Sequence, residues 1–328
     1  MTGGRLGVLL VNLGTPDAPT PQAVRRYLAE FLSDRRVVEI PALLWQPLLR
    51  GVILTTRPRK SAHAYGQVWT EEGSPLAAIT AAQAQALQQR LGEGVRVGWA
   101  MRYGNPGLAA KVAQFVQAGC SRLLVAPLYP QYSAATTASA TDALGLALAG
   151  MRHQPAIRTL PPYFADPAHI AALRADLSRQ LAELRFRPEV LLLSFHGVPE
   201  RTVTLGDPYY HQCLKTARLL GEALGVDWPG LRIETAFQSR FGRAKWVEPA
   251  TDRVLAELAR AGTRALAIAA PGFSADCLET REELAIRGRE QFLAAGGANY
   301  AALDCLNAGP AGMAMLEALV RRELSGWI

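Results

Sequence analysis

Residues 190–199 read VLLLSFHGVP, an apolar run that ends in His196 and is followed by Gly197 and, two residues later, Pro199. A short apolar run bounded in this way predicts a buried strand of a parallel sheet. Ligands of open α/β sheets lie beyond the carboxyl ends of the strands, so His196 stands where active sites collect. From position alone, a catalytic imidazole and a hydrogen-bonded buried histidine are equally good interpretations.

Amphipathic helical stretches alternate with further apolar runs on both sides of this one. These runs predict strands at residues 8–13, 95–101, 122–127, 232–237 and 265–270. The two halves of the chain echo each other, since residues 9–16 (LLVNLGTP) resemble residues 192–199 (LLSFHGVP). This predicts two similar α/β domains, residues 1–163 and 164–309, joined in the proline-rich segment 161–166. We expect the active-site cleft between them.

Composition and charge favour a folded protein with an anionic partner. The chain has 328 residues, 49% of them hydrophobic, and a formal net charge of +7. Arginine carries most of the positive charge, which suits carboxylates, phosphates or an anionic membrane surface. Nucleic acid is not expected, because the basic residues are scattered and lack interleaved aromatics. A nicotinamide-dependent oxidoreductase is a remote alternative, since no glycine-rich phosphate loop follows a strand.

The sequence predicts a cytoplasmic location. No secretory signal is expected at the amino terminus, and no apolar run reaches the roughly 18 residues that a membrane span needs. The cysteines are far apart and form no Cys-x-x-Cys pair, so buried or free thiols are expected for most of the four, which are Cys120, Cys213, Cys277 and Cys305.

A second group of candidate residues lies in residues 271–283, which read PGFSADCLETREE. We predict a helix that starts near Asp276, with the carboxylates of Glu279 and Glu283 four residues apart on one face. Asp276 and Glu279 also have the spacing of a capping box, which is a purely structural interpretation. Paired carboxylates can equally attract a divalent ion or relay protons, and both interpretations stay open.

A third group follows a very apolar segment, residues 40–54. Arg57, Lys60 and the Gly73-Ser74-Pro75 turn either solvate a surface or pair with carboxylates of an anionic ligand. The apolar segment is either a core helix or, with the basic residues after it, a surface for peripheral membrane contact through residues 40–60.

These residues, taken together, resemble the ferrochelatases, and specifically their Gram-negative bacterial branch. The resemblance runs along nearly the whole chain, and it is specific because many short segments occur in order. They are 11–17 (VNLGTPD), 73–75 (GSP), 101–103 (MRY), 129–133 (YPQYS), 194–199 (SFHGVP), 206–209 (GDPY), 237–239 (FQS), Trp246 and 276–280 (DCLET).

The resemblance implies a chelatase-type fold of two Rossmann-like domains, each with a parallel four-stranded sheet flanked by helices. It also implies that a carboxy-terminal helix, 310–328, packs on the first domain. It implies that His196 accepts pyrrole protons and that Glu279 and Glu283 form an acidic track for protons or metal. Metal contacts are implied for His196 and Glu279. Substrate contacts are implied for Leu13, Arg57, Ser74, Arg102, Tyr103, Tyr129 and Trp246.

The implied reaction is the insertion of ferrous iron into protoporphyrin IX, the last step of haem formation, in a monomer on or near the inner face of the cytoplasmic membrane. Iron is then a substrate, and no cofactor stays bound. No iron–sulfur cluster is expected, because Ala134 replaces a cysteine of cluster-bearing members and the chain stops at Ile328. Leu13 replaces the tyrosine of the branch that uses coproporphyrin. Coproporphyrin III metallation and non-catalytic porphyrin or haem binding remain alternatives, and the face of iron entry stays open.

Overall fold

All six apolar runs that predict strands are strands in the computed structural model, which describes residues 5–242 and 244–328. Two short strands complete two four-stranded sheets. The strands are β1 (Arg5–Thr15), β2 (Val95–Gly104), β3 (Cys120–Pro127), β4 (Ala156–Thr159), β5 (Val190–His196), β6 (Arg232–Gln238), β7 (Ala265–Ala269) and β8 (Asn299–Ala302). Every neighbouring pair is parallel, in the orders β2-β1-β3-β4 and β6-β5-β7-β8. The predicted α/β class is confirmed.

Helices fill the connections between the strands. In the first half they are α1 (Pro21–Ser33), α2 (Ala42–Leu48), the π-helix π1 (Leu49–Ile53), α3 (Leu54–Val68), α4 (Pro75–Leu91), α5 (Leu108–Gln117), π2 (Ala134–Ala138) and α6 (Ser139–Ala149). In the second half they are α7 (Pro167–Glu183), α8 (Glu200–Thr204), α9 (Tyr209–Asp227), α10 (Thr251–Arg260), π3 (Glu279–Gly288), α11 (Arg289–Ala294) and α12 (Pro310–Glu323). Within the described residues, none of the helices combines the length and apolar character that crossing a bilayer requires.

The chain divides into two compact units, each with one sheet. The first consists of residues up to 129 together with 133–161 and 316–328, and the second of 130–132 and 162–315. In the first unit, Leu9 and Val11 of β1 pack with Val112 and Phe115 of α5. In the second unit, β5 and β7 pack against α10 and Phe292 of α11. Burial of each such side chain stabilises its unit by about 1.5–3 kcal/mol.

Each sheet has the strand order that places a ligand site at its first strand. The chain leaves β1 for β2 on one side and later returns to β3 on the other, and the second sheet repeats this around β5. Such a reversal opens a crevice beyond the carboxyl ends of the strands. These ends are Leu13–Thr15 in the first unit and His196 in the second.

Candidate active site

His196 is the last residue of β5, and the backbone that follows it holds its half-buried imidazole. Its Nδ1 lies 2.6 Å from the carbonyl oxygen of Gly197. Because a carbonyl oxygen only accepts hydrogen bonds, Nδ1 carries the proton in this contact, and Nε2 of the neutral ring is left as the basic nitrogen. The strand end therefore presents an imidazole that can accept a proton at Nε2.

Glycine is needed directly after His196 because the chain passes very close to β6 there. The N–H of Gly197 donates to the carbonyl of Gln238 at 2.8 Å. A Cβ at position 197 would lie 2.8 Å from that oxygen and 3.2 Å from the indole ring of Trp246. This close approach brings the nearly buried Trp246 beside the His196 loop, where its Nε1 donates to the carbonyl of Phe241 at 3.0 Å.

A buried polar network connects the end of β5 with π3. Ser194 donates to Oε1 of Gln238 at 2.7 Å, and its hydroxyl is 2.8 Å from that of Thr251. The amide nitrogen of Gln238 donates to the carbonyl of Glu279 at 3.3 Å. Gln238 is also the residue paired with His196 in the β5–β6 register. One buried side chain therefore fixes the start of the acidic helix relative to the histidine strand.

Glu283 is held by Ser239, the residue that follows β6. Ser239 donates its backbone N–H to one carboxylate oxygen at 2.9 Å and its hydroxyl to the other at 2.5 Å. Ser239 has a φ of 67°, an uncommon conformation for a residue other than glycine. Such conformations persist where the surrounding structure stabilises them, and they cluster at functional sites. The backbone here is bent so that both donors of Ser239 reach Glu283.

The helix that carries the carboxylates differs from the prediction in type and starting point. It is a π-helix that begins at Glu279, whereas the sequence predicts an α-helix starting near Asp276. Asp276 does not form the capping box that its spacing from Glu279 allows, because its backbone N–H donates to Asn307 and its carboxylate accepts hydrogen bonds from the side chains of Thr280, Arg281 and Asn307. π-Helical turns inside helices are frequently found at functional sites.

Cys277 remains a protonated thiol beside Glu279. Burial raises the pKa of this thiol well above its usual value, and the neighbouring carboxylate of Glu279 raises it further. A thiol must ionise to bind a metal strongly, so this environment disfavours a ligand role for Cys277. All four cysteines are buried and free, as predicted.

In the first unit, the candidate residues lie at the ends of β1 and β2. Leu13 is half-buried, and the hydroxyl of Thr15 donates to that of Ser74 at 2.8 Å. Ser74 itself is buried at the start of α4. This hydrogen bond ties the Gly-Ser-Pro turn to the end of the first strand.

Arg102 and Tyr103 lie together at the end of β2, but their environments differ. The Arg102 side chain is 17% exposed, whereas Tyr103 is completely buried. Both donate to the same carboxylate oxygen of Asp34, at 2.7 Å each. Within the first unit, therefore, the buried Tyr103 packs next to Arg102 and hydrogen-bonds to Asp34.

Two further predicted substrate contacts lie outside β1 and β2. Arg57 is exposed on α3, and Tyr129 is half-buried in the segment that follows β3.

His169 is a buried histidine that takes no part in the candidate site. It is 1% exposed and packs edge-on against the ring of Tyr163, with 5.3 Å between the ring centroids. Burial lowers its pKa to about 4, although the carbonyls of Phe164 and Tyr163 oppose this shift. The residue is a neutral core histidine, because its position on α7 faces the interior.

Within the second unit, then, the structure brings together the loops and helix that carry His196, Trp246, Glu279 and Glu283. Sequence reasoning missed Asp34 and did not select Gln238 or Ser239, which orient the chosen side chains. The only signal for the last two was their place in the FQS segment, directly at a strand end. Among residues 5–242 and 244–328, no group of three or more His, Cys, Asp or Glu residues forms a metal-binding set.

Comparison with known proteins gives a consistent result over the whole chain. The family model described as Ferrochelatase matches residues 5–324. Ferrochelatases from Mesorhizobium japonicum and Rhizobium meliloti are each 50% identical over 329 residues, which is 99% of this chain and 93% and 96% of theirs. A ferrochelatase from Brucella ovis is 48% identical over 99% of this chain and 93% of its own length.

Solved structures of low sequence identity share the fold. SirB from Bacillus subtilis, solved with Fe3+, aligns with a TM-score of 0.59 at 13% identity and 98% coverage of both chains. CbiX, described as the terminal enzyme of siroheme biosynthesis in denitrifying bacteria, aligns with a TM-score of 0.51 at 18% identity over 96% of this chain and 98% of its own. Both are chelatase-type α/β proteins.

Proposed function

Because this chain belongs to the ferrochelatase family, we propose that it inserts ferrous iron into protoporphyrin IX to form protohaem. The reaction is that of a lyase by formal class and completes haem biosynthesis. Iron enters as a substrate. The proposed enzyme has no permanently bound cofactor and no iron–sulfur cluster, and it acts as a monomer. The observation that carries the proposal is the position of His196 at the end of β5, with its Nδ1 2.6 Å from the carbonyl oxygen of Gly197.

The chemistry calls for a neutral base close to the porphyrin nitrogens. A free-base porphyrin loses two pyrrole protons when a divalent metal binds, and pyrrole N–H groups are very weak acids. A bound porphyrin that is bent out of plane exposes its nitrogens, and a base placed against one face lowers the barrier to proton loss. With Nδ1 hydrogen-bonded to Gly197, His196 offers Nε2 for this purpose.

The carboxylates of π3 supply the next part of the proposed path. Glu283 is fixed by two hydrogen bonds from Ser239, and Glu279 is joined through its backbone to Gln238. Carboxylates in such positions can carry protons away from a histidine or meet an incoming hydrated cation. We assign both roles to the pair, with His196 and Glu279 as the protein groups that contact iron.

The first unit supplies the proposed substrate contacts other than Trp246, which belongs to the second unit. Arg57 is suited to a propionate because its guanidinium pairs well with carboxylates. Ser74 is assigned to the rim, and pocket walls are assigned to Leu13, Arg102, Tyr103, Tyr129 and Trp246. Tyr103 is buried beneath Arg102, so its contribution is indirect. Leu13, an apolar residue, favours protoporphyrin over the more carboxylated coproporphyrin III.

Absorbance spectroscopy tests this proposal. The purified protein is mixed anaerobically with ferrous iron and protoporphyrin IX, and the Soret and visible bands are followed. We expect metallation far above the buffer rate and slower turnover with coproporphyrin III. A rate equal to that of buffer contradicts the proposed activity, and a preference for coproporphyrin III contradicts the substrate assignment alone.

The segment around α2 is the proposed membrane contact, within residues 40–60. Leu43 is 90% exposed and Leu44 70% exposed, and Leu48 and Val52 are also exposed. Exposed apolar groups this close together are unusual on a protein surface and typical of an interaction site. We propose that they rest on the inner face of the cytoplasmic membrane, where an apolar porphyrin is available.

Co-sedimentation with phosphatidylcholine–phosphatidylglycerol vesicles tests the membrane contact. The double variant Leu43→Glu/Leu44→Glu should bind at least about tenfold more weakly, because each leucine that enters the bilayer contributes about 1.5–3 kcal/mol. Leu146→Glu is the control, since Leu146 is 78% exposed on α6 and lies outside the segment. Equal loss in both proteins, or no loss in the double variant, contradicts the assignment.

A further inference from the structure

Asp34 is the centre of a cluster of side chains at the end of β2. Its Oδ2 accepts hydrogen bonds from Nη2 of Arg102 at 2.7 Å, from the hydroxyl of Tyr103 at 2.7 Å and from the hydroxyl of Ser139 at 2.6 Å. Its Oδ1 accepts a fourth, from the backbone N–H of Arg36 at 2.7 Å. Four donors on one carboxylate are more than the end of α1 requires, since the carboxyl end of a helix leaves carbonyls, and not N–H groups, without partners.

The cluster is largely shielded from water and is electrically balanced. The side chain of Asp34 is 12% exposed and that of Arg102 is 17% exposed. Burial by itself would raise the pKa of Asp34, but the hydrogen bonds from Ser139 and Tyr103 and the charge of Arg102 together lower it. Asp34 is therefore ionised at neutral pH and cancels the charge of Arg102.

The geometry also fixes the direction of the guanidinium. Arg102 donates from Nε to both the carbonyl and the hydroxyl of Ser139, at 3.0 and 2.7 Å. Its Cζ lies 4.3 Å from the centroid of the Tyr103 ring. An arginine side chain loses about 2 kcal/mol of rotamer freedom when it is ordered, so an unsupported Arg102 would sample many orientations. The carboxylate holds one of them.

We propose that Asp34 is a positioning residue for metallation, acting through Arg102, which it orients and neutralises at the carboxyl end of β2. This inference rests on the proposed function, because it takes Arg102 as part of the porphyrin pocket. Loss of the carboxylate frees the guanidinium from its place over Tyr103 and leaves a half-buried positive charge at a site that must admit both a porphyrin and a dication.

A double-mutant cycle of Asp34→Asn, Arg102→Ala and the combination tests this. Asparagine keeps an acceptor oxygen and nearly the same volume, so the fold is retained. We expect each single variant to lower kcat/KM by about tenfold or more, and the combined variant to be no worse than the worse single one, because the residues act as a unit. Multiplying effects, or an Asp34→Asn enzyme as active as the wild type, overturn the proposal.

Two further measurements separate positioning from stability and from the proposed function. Asp142→Ala removes the exposed ion pair with Arg36, whose Nε is 2.8 Å from Asp142, and should leave kcat/KM unchanged. A thermal scan of every variant identifies losses caused by unfolding. Porphyrin fluorescence gives Kd for the wild type, the two single variants and the double variant. If the wild type binds porphyrin without metallating it, the double-mutant cycle can still be evaluated from these Kd values. A wild type that does neither overturns both proposals.

Discussion

His196→Ala should reduce the rate of protoporphyrin metallation by about 10²–10⁴-fold, the usual contribution of a positioned general base. The expected loss is large because the ring is held with Nδ1 on the carbonyl of Gly197, which leaves Nε2 ready to accept a proton. Without it, protons must leave a very weak acid directly to water. The protein should still fold, since the His196 side chain is only half-buried and its ring bonds to the backbone of its own neighbour.

The measurement is the single-turnover rate at saturating porphyrin, followed in the Soret band under anaerobic conditions. His153→Ala is the matched control, because His153 is an exposed histidine of the first unit. Added imidazole should restore part of the activity of His196→Ala and none of any loss in other variants. This rescue separates a missing base from a disturbed fold.

The same variant distinguishes an enzyme from a porphyrin carrier. In a carrier, His196→Ala would weaken porphyrin binding, and the wild type would not metallate at all. In the proposed enzyme, the porphyrin Kd changes little while the rate collapses. An unchanged rate in His196→Ala would instead assign the base to another residue.

The sequence predicted six of the described strands, including the edge strands β2 and β6, because each lies in a run of six or seven residues rich in apolar side chains. It did not predict β4 or β8, since both are four-residue edge strands in which apolar and polar residues are mixed and no residue is fully buried. Their existence follows from pairing with β3 and β7, a tertiary effect that local pattern does not carry. Strands with a long apolar run are therefore readable from one sequence, and the four-residue edge strands β4 and β8 are not.

The candidate site was predicted at strand ends because the apolar runs mark where the strands end. Its supporting residues were missed because their contacts join distant parts of the chain. His196 follows an apolar run, so its position on the sheet could be read directly. Asp34 meets Arg102 and Ser139 across 68 and 105 residues of chain, and no local pattern links them. Ser239 binds Glu283 through an unusual backbone conformation, which cannot be predicted from the presence of a serine. Such contacts depend on three-dimensional packing.

Gly14→Ala should destabilise the first unit by about 2–6 kcal/mol. Gly14 has a φ of 131°, which an L side chain rarely adopts, and a Cβ there would lie 2.0 Å from the carbonyl oxygen of Tyr103. A strained backbone of this kind costs about 1–3 kcal/mol, and forced overpacking costs about 1–3 kcal/mol more. The obstacle is backbone, so no side-chain rotation relieves it.

Thermal unfolding provides the measurement, with Gly145→Ala as the control. The midpoint of Gly14→Ala should fall by roughly 5–20 °C for a unit of this size. Gly145 lies inside α6, and a Cβ added there would meet no atom within 4 Å, so alanine should raise stability by about 0.5–1 kcal/mol. A Gly14→Ala midpoint within two or so degrees of the wild type would contradict the close approach of β1 and β2.

The glycine also has a consequence for the site that is separable from stability. Gly14 pairs with Tyr103 in the β1–β2 register. Leu13 precedes Gly14 on β1, and Arg102 precedes Tyr103 on β2. If alanine forces these strand ends apart, Leu13 and the Arg102–Asp34 cluster lose their spacing even where the unit remains folded. At about 10–15 °C below its own midpoint, a margin set by the width of such transitions, Gly14→Ala should still show a raised porphyrin KM. Gly145→Ala should keep the wild-type value, because a methyl group at position 145 reaches none of these residues.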